Sequence, residues 1–95
     1  MFKIFITFSA KRSAKKLPVE VKREIIKLSE EFIAKNPFDS EKLQSPLSEC
    51  MSFHFKLNNV HYRIAYRIIE NEKRIDIVLV GARENFYQRL RRVLK

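Results

Sequence analysis

Ninety-five residues, 45% of them hydrophobic, suit one globular domain spanning 1–95 and exclude a disordered basic tail or two independent cores. Twenty Lys and Arg against eleven Asp and Glu give a formal charge of +9. Residues 1–48 hold ten basic and six acidic groups and residues 49–95 hold ten and five, so the whole body is basic. Such a body suits a polyanion, nucleic acid above all, or a merely solubilising surface.

The single cysteine, Cys50, excludes an internal disulfide and a cysteine-based zinc site, and reads as a small buried hydrophobe in a reducing compartment. No apolar run approaches the roughly 20 residues of a membrane span. Residues 1–8 lack the long apolar core and cleavage site of a signal peptide, so a cytoplasmic protein without membrane or metal partners is expected.

Along the chain, Phe2, Ile4, Ile6 and Phe8 alternate with Lys3, Phe5 and Thr7, which predicts a first strand. Ser9 is placed to cap a short basic helix over about 10–16. Pro18 and Glu20 suit the start of a helix over 19–35, with Val21, Ile25, Leu28 and Phe32 as its core stripe. Asn36-Pro37 ends it, and 37–49 reads as a loop.

From Met51 the period becomes two. Met51, Phe53, Phe55 and Leu57 form one strand face, Asn58-Asn59 is a turn, and Tyr62, Ile64, Tyr66 and Ile68 form the next. A further turn at Asn71-Glu72, a strand over 74–80 broken by Gly81, and a helix over 84–94 complete an α+β chain. Its order is β-α-α-β-β-β-α, with a three-stranded antiparallel meander after a two-helix hairpin.

If Asn58-Asn59 is a two-residue loop, opposed residue numbers sum to 117. Leu57 then faces Val60, Phe55 faces Tyr62 and Phe53 faces Ile64, while His54 faces Arg63, Ser52 faces Ala65 and Lys56 faces His61. His54, Lys56, Arg63 and Arg67 thus share one face. Their mutual repulsion is relieved by an anionic ligand, or tolerated on a solvated sheet face. His61 reads as an exposed turn-edge residue. Arg83 lies just past a strand end, and Tyr87, one helical turn on, is placed either to stack on a base or exchange a proton, or to join the core.

His61-Tyr62-Arg63-Ile64-Ala65-Tyr66-Arg67, followed by Ile77-Val78-Leu79-Val80-Gly81-Ala82-Arg83-Glu84-Asn85-Phe86-Tyr87, resembles the C-terminal half of RelE/ParE-type toxins, and the element order extends the resemblance over most of the chain. The resemblance implies a toxin of a toxin–antitoxin pair. Active members cleave messenger RNA in the ribosomal A site without a metal or other cofactor, by attack of a 2′-hydroxyl on the adjacent phosphate. By position, Lys56, Arg63, Arg83 and Tyr87 match the catalytic set, and Lys56, Arg63 and Arg67 would contact RNA.

His54 stands where well-known active members carry lysine. Two alternatives stay open for it. A neutral imidazole accepts a proton more readily than lysine, and Arg63 opposite should keep it neutral; or activity has been lost. The implied partners are the ribosome with its message and a cognate antitoxin, acidic or amphipathic to match the +9 charge. A ParE-like branch that inhibits DNA gyrase without nuclease activity, and an inactive RNA-binding relative, are the alternatives within the same fold.

Overall fold

In the computed structural model, which describes residues 1–95, strand β1 (Lys3–Ile6) leads into helices α1 (Phe8–Ala14) and α2 (Val19–Leu28). Beyond a short strand β2 (Glu41–Lys42), strands β3 (Met51–Leu57), β4 (Val60–Ile69) and β5 (Arg74–Ala82) run into helix α3 (Phe86–Val93). The five strands form one sheet in the order β1-β5-β4-β3-β2. The fold is α+β, as the residue pattern implies, with two additions: β2 arises inside the segment read as a loop, and β1 pairs parallel to β5.

The hairpin register follows the parity of its residue numbers at every position, including His54 opposite Arg63 and Lys56 opposite His61. Asn58 and Asn59 take φ of 52° and 65°, the left-handed conformation that a tight hairpin turn demands and that asparagine tolerates. Between β4 and β5 the register slips. Ala65 pairs with Leu79 and Tyr66 with Ile77, which leaves Val78 as a bulge. Val78 therefore joins Leu79 on one side of the sheet while Ile77 packs on the other.

Each face of the sheet has its own apolar layer. On the first, Val21 and Ile25 of α2 and Ala10 of α1 pack against Ile64, Tyr66, Ile75 and Ile77. On the second, Phe86 and Leu90 of α3 bury fully over Ala65 and Leu79. Each large side chain so buried contributes on the order of 1.5–3 kcal/mol. The second face is thus half core and half polar, and Tyr87 of α3 stands at the boundary.

Four local expectations give way to tertiary structure. Thr7, not Ser9, caps α1, its hydroxyl accepting the N–H of Ala10. Ser9 instead donates to Val78 O at 2.8 Å, and Ser13 accepts from Val80 N at 3.2 Å, so α1 hydroxyls cover the β5 edge beyond the end of β1. Gly81 does not break its strand; it pairs with Arg63, and β5 runs to Ala82. The absent Cβ leaves room for Arg89, whose guanidinium lies 2.6 Å from where that atom would be. The last helix begins at Phe86, two residues late, because Asn85 turns left-handed with φ 56°.

The fourth concerns α2. Its last turn, Ser29–Ile33, is π-helical, with Ala34 N–H donating to Ser29 O, and the buried Ser29 hydroxyl donates back to Ile25 O at 2.7 Å. The wider turn inserts one residue into the stripe. After Val21, Ile25 and Leu28 the next core position is Ile33 at 1% exposure, and Phe32 is turned out to 51%.

Candidate active site

The polar half of the second face is built by β2, β3, β4 and the first turn of α3. Alternation along β3 sends Ser52, His54 and Lys56 to this face, and antiparallel pairing sets Arg63 beside His54. Phe86, buried beneath α3, fixes that helix so that the next residue, Tyr87, leans over the sheet.

Five side chains converge there. The Arg63 guanidinium lies over the Tyr87 ring, its Cζ 4.8 Å from the centroid, and Nη1 donates to the Tyr87 hydroxyl. That oxygen is 3.4 Å from each of Glu41 Oε1, Ser52 Oγ and His54 Nε2, and its single proton serves one of them at a time. His54 Nε2 is in turn 3.1 Å from Ser52 Oγ and 3.1 Å from Glu41 Oε1. With Nε2–H donating to Glu41, Nδ1 carries the lone pair, and no group of the chain hydrogen-bonds it.

The His54 pKa is held below its ordinary 6.5, first by partial burial, then by the Arg63 charge, with Glu41 opposing. The expectation of a neutral imidazole is met in direction. Its first cause is desolvation; the arginine across the hairpin comes second.

Arg83 follows β5, its N–H donating to His61 O at 3.0 Å and its side chain exposed. With Arg63, His61 and Tyr87 it lines an open depression of about 600 Å³. Neither arginine is in an ion pair with a carboxylate, which leaves both free for an anion. Lys56 is exposed on the same face opposite His61, one strand position beyond the cluster and without a charged partner.

Arg67 is not brought to the cluster. It lies four residues along β4 from Arg63, about 13 Å at strand rise, where it pairs with Glu49 at 3.0 Å and Asp76 at 3.8 Å. Asp76, 5% exposed, is held also by Arg74 at 2.7 Å. The cationic face is therefore less self-repelling than four cations in a row would be: Arg67 is neutralised by Glu49 and Asp76, Arg63 lies over Tyr87, and the lowered His54 pKa favours the neutral imidazole. Cys50 is buried, its thiol pushed up to about 11 by desolvation, which fits a packing role.

Glu41 is the site residue that sequence reasoning missed. It sits on a two-residue strand in a segment with no alternation, so nothing local marks it. Ser52 was legible by parity as a neighbour of His54, but not as its hydrogen-bond partner. No three His, Cys, Asp or Glu side chains are grouped so as to hold a metal ion. No helix is long and apolar enough to cross a membrane.

Beside this geometry, comparison with known proteins supplies a family and a fold. The profile of a family described as the ParE-like toxin of type II bacterial toxin–antitoxin systems matches residues 4–91. A RelBE toxin–antitoxin complex from Mycobacterium tuberculosis contains a chain of the same fold, at TM-score 0.78 and 22% identity, covering 86% of this chain and 98% of that one. A free arginine-to-alanine double mutant of the E. coli toxin RelE superposes at TM-score 0.73 and 17% identity over 96% of both chains. The intact E. coli RelBE complex gives TM-score 0.68 and 20% identity over 85% of this chain and 95% of that one. No curated protein sequence matches.

Proposed function

Because the chain belongs to the ParE-like toxin family of type II bacterial toxin–antitoxin systems, we propose that it is the RNA-cleaving kind of toxin, a metal-independent endoribonuclease acting on messenger RNA in the ribosomal A site. One observation carries this reading: His54, its pKa held below the ordinary imidazole value, stands opposite Arg63 and against Tyr87, and those two residues line a depression whose arginines are in no ion pair with a carboxylate. A surface that only docks on a protein has no need of a proton acceptor beside free cations.

The chemistry follows from those roles. His54 Nδ1 takes the proton of a ribose 2′-hydroxyl. The 2′-oxygen bonds to the adjacent phosphorus and the bond from phosphorus to the 5′-oxygen breaks, giving a 2′,3′-cyclic phosphate. The Tyr87 hydroxyl, whose lone pair is occupied by Arg63 Nη1, supplies the proton to the leaving 5′-oxygen. Arg63, Arg83 and Lys56 offset the extra negative charge of the pentacoordinate transition state, a fixed-charge effect worth on the order of 10²–10³ in rate per donor. Glu41 and Ser52 orient the imidazole. Arg67, engaged by Glu49 and Asp76, is left out of the RNA surface.

Such a protein works in the cytoplasm, beside ribosomes. Its expected partner is a cognate antitoxin, as in the RelBE complexes that share its fold; an acidic antitoxin segment would complement the +9 charge. The ParE-like description of the family supports a second reading, inhibition of DNA gyrase. Primer extension on cellular messages after induction separates the two. Breaks positioned by codon support cleavage; DNA damage with intact messages supports the gyrase reading and overturns the first.

A further inference from the structure

The π turn that expels Phe32 from the core leaves it lining a second cavity, about 330 Å³, together with Ser52 and His54. Phe32 and Phe53 lie with ring centroids 6.4 Å apart and planes tilted by 30°, so one aromatic wall continues from the helix to the sheet. Asn36, Asp39 and Ser40 form the rim, with Glu41 shared between this cavity and the active site. The rim is held in shape from below, since the buried Tyr66 hydroxyl donates to Pro37 O at 2.6 Å.

The two cavities, one lined by His54 and the other by the Tyr87 that contacts it, differ in charge. The depression bears Arg63 and Arg83 against one carboxylate, Glu84, a balance that favours phosphate. The Phe32 cavity has two carboxylates, Asp39 and Glu41, and no lysine or arginine among its lining residues. A phosphate is repelled there. A flat, uncharged ring that stacks on Phe32 and donates hydrogen bonds to Asp39 is not. Asn36 and Asp39 are exposed residues of the lining whose side chains make no hydrogen bonds within the chain, which leaves their donors and acceptors open to a ligand.

We propose that this cavity is a nucleobase subsite, selecting a base with an exocyclic amine (adenine, cytosine or guanine) over uracil at the nucleotide next to the cleaved bond. Asp39 accepts from the amine, whereas the one ring N–H of uracil lies between two carbonyl oxygens that a carboxylate repels; Asn36 pairs with an adjacent ring edge, and Phe32 supplies the stacking surface. The difference in charge between the two cavities orients the strand, with backbone toward Arg83 and base toward Phe32. The proposal rests on the reading of the chain as an RNA-directed toxin, and deepens it by naming what that site selects.

The test has two parts. Ribosomes programmed with messages that place A, C, G or U at the A-site position adjacent to the break are treated with wild-type toxin, Phe32→Ala and Asp39→Asn. The expected result is a loss of about tenfold or more at amine-bearing bases for Phe32→Ala, in line with base–aromatic stacking, and loss of the discrimination against uracil for Asp39→Asn. Cleavage by both variants with an unchanged base profile overturns the subsite while leaving the nuclease intact. Separately, 2′-O-methyl RNA trinucleotides, which cannot be cleaved, are titrated into the free toxin and followed by NMR. Shifts at Phe32 and Asn36 that are larger for adenine than for uracil support the subsite even if wild-type toxin cleaves nothing, an outcome that would sink the nuclease reading alone. Absence of any shift at those residues with oligomers that do perturb Arg83 overturns the subsite.

Discussion

Arg63 on a central strand and Tyr87 on the last helix form one unit: the guanidinium covers the ring at 4.8 Å and also donates to the hydroxyl. The pair joins two residues 24 apart in sequence and leaves the tyrosine proton directed toward Glu41 and Ser52. Tyr87→Phe keeps the ring under the guanidinium and removes the proton. Message cleavage on purified ribosomes should fall by about 10²–10⁴-fold, the usual span for a lost general acid. Thermal stability should drop by only about 1 kcal/mol, one net hydrogen bond. A variant with full activity would remove Tyr87 from the chemistry.

Arg63, Arg83 and Arg67 should separate cleanly. Arg63→Ala and Arg83→Ala are expected to lose on the order of 10²–10³ in cleavage rate each, with growth inhibition abolished and circular dichroism unchanged. Arg67→Ala should keep its activity and lose under about 1 kcal/mol of stability, because its partner Glu49 is exposed and the buried Asp76 keeps its closer pairing with Arg74. Toxicity that survives both site variants would count against the assigned roles.

The pH dependence has a definite sign. His54 titrates below 6.5, so the acid limb of the cleavage profile should lie below that value. Glu41→Gln removes the one influence that raises the pKa and should move the limb further down. For the fold, the unfolded chain binds the His54 proton more readily than the native one. The contribution to stability is therefore full above 6.5 and declines as pH falls through that value toward the lower native pKa. A limb that rises above 6.5, or that moves upward in Glu41→Gln, would contradict the arrangement.

The π turn predicts an inversion between neighbours. Ile33→Ala, at a fully buried position, should cost about 2–5 kcal/mol in urea unfolding. Phe32→Ala, at an exposed position, should cost well under 1 kcal/mol. A regular helix would give the opposite order, since residue 32 continues the 21–25–28 stripe.

How much of this was written in the chain depends on the range of each interaction. The β3–β4 pairing could be counted from residue numbers, because a two-residue asparagine turn and strict alternation link sequence to register within a few residues. His54 beside Arg63, and Lys56 on their face, followed directly. The α+β class, the helix positions and the buried Cys50 were set by the same local periodicities and by composition.

Tertiary structure decided the rest, for reasons that no local pattern carries. The placement of β1 beside β5 depends on a pairing some 70 residues apart. The bulge at Val78 and the packing of Arg89 over Gly81 depend on how helix and sheet meet. Asp76 and Glu49 claim Arg67 by proximity in space and withdraw it from a face it shares by parity. Glu41 reaches His54 only because two residues of a loop join the sheet edge. Phe32 leaves the core because Ser29 bonds back to Ile25 and widens a single turn. Sequence alone set which side chains share each face, since alternation is a property of the backbone; long-range packing chose which of them meet.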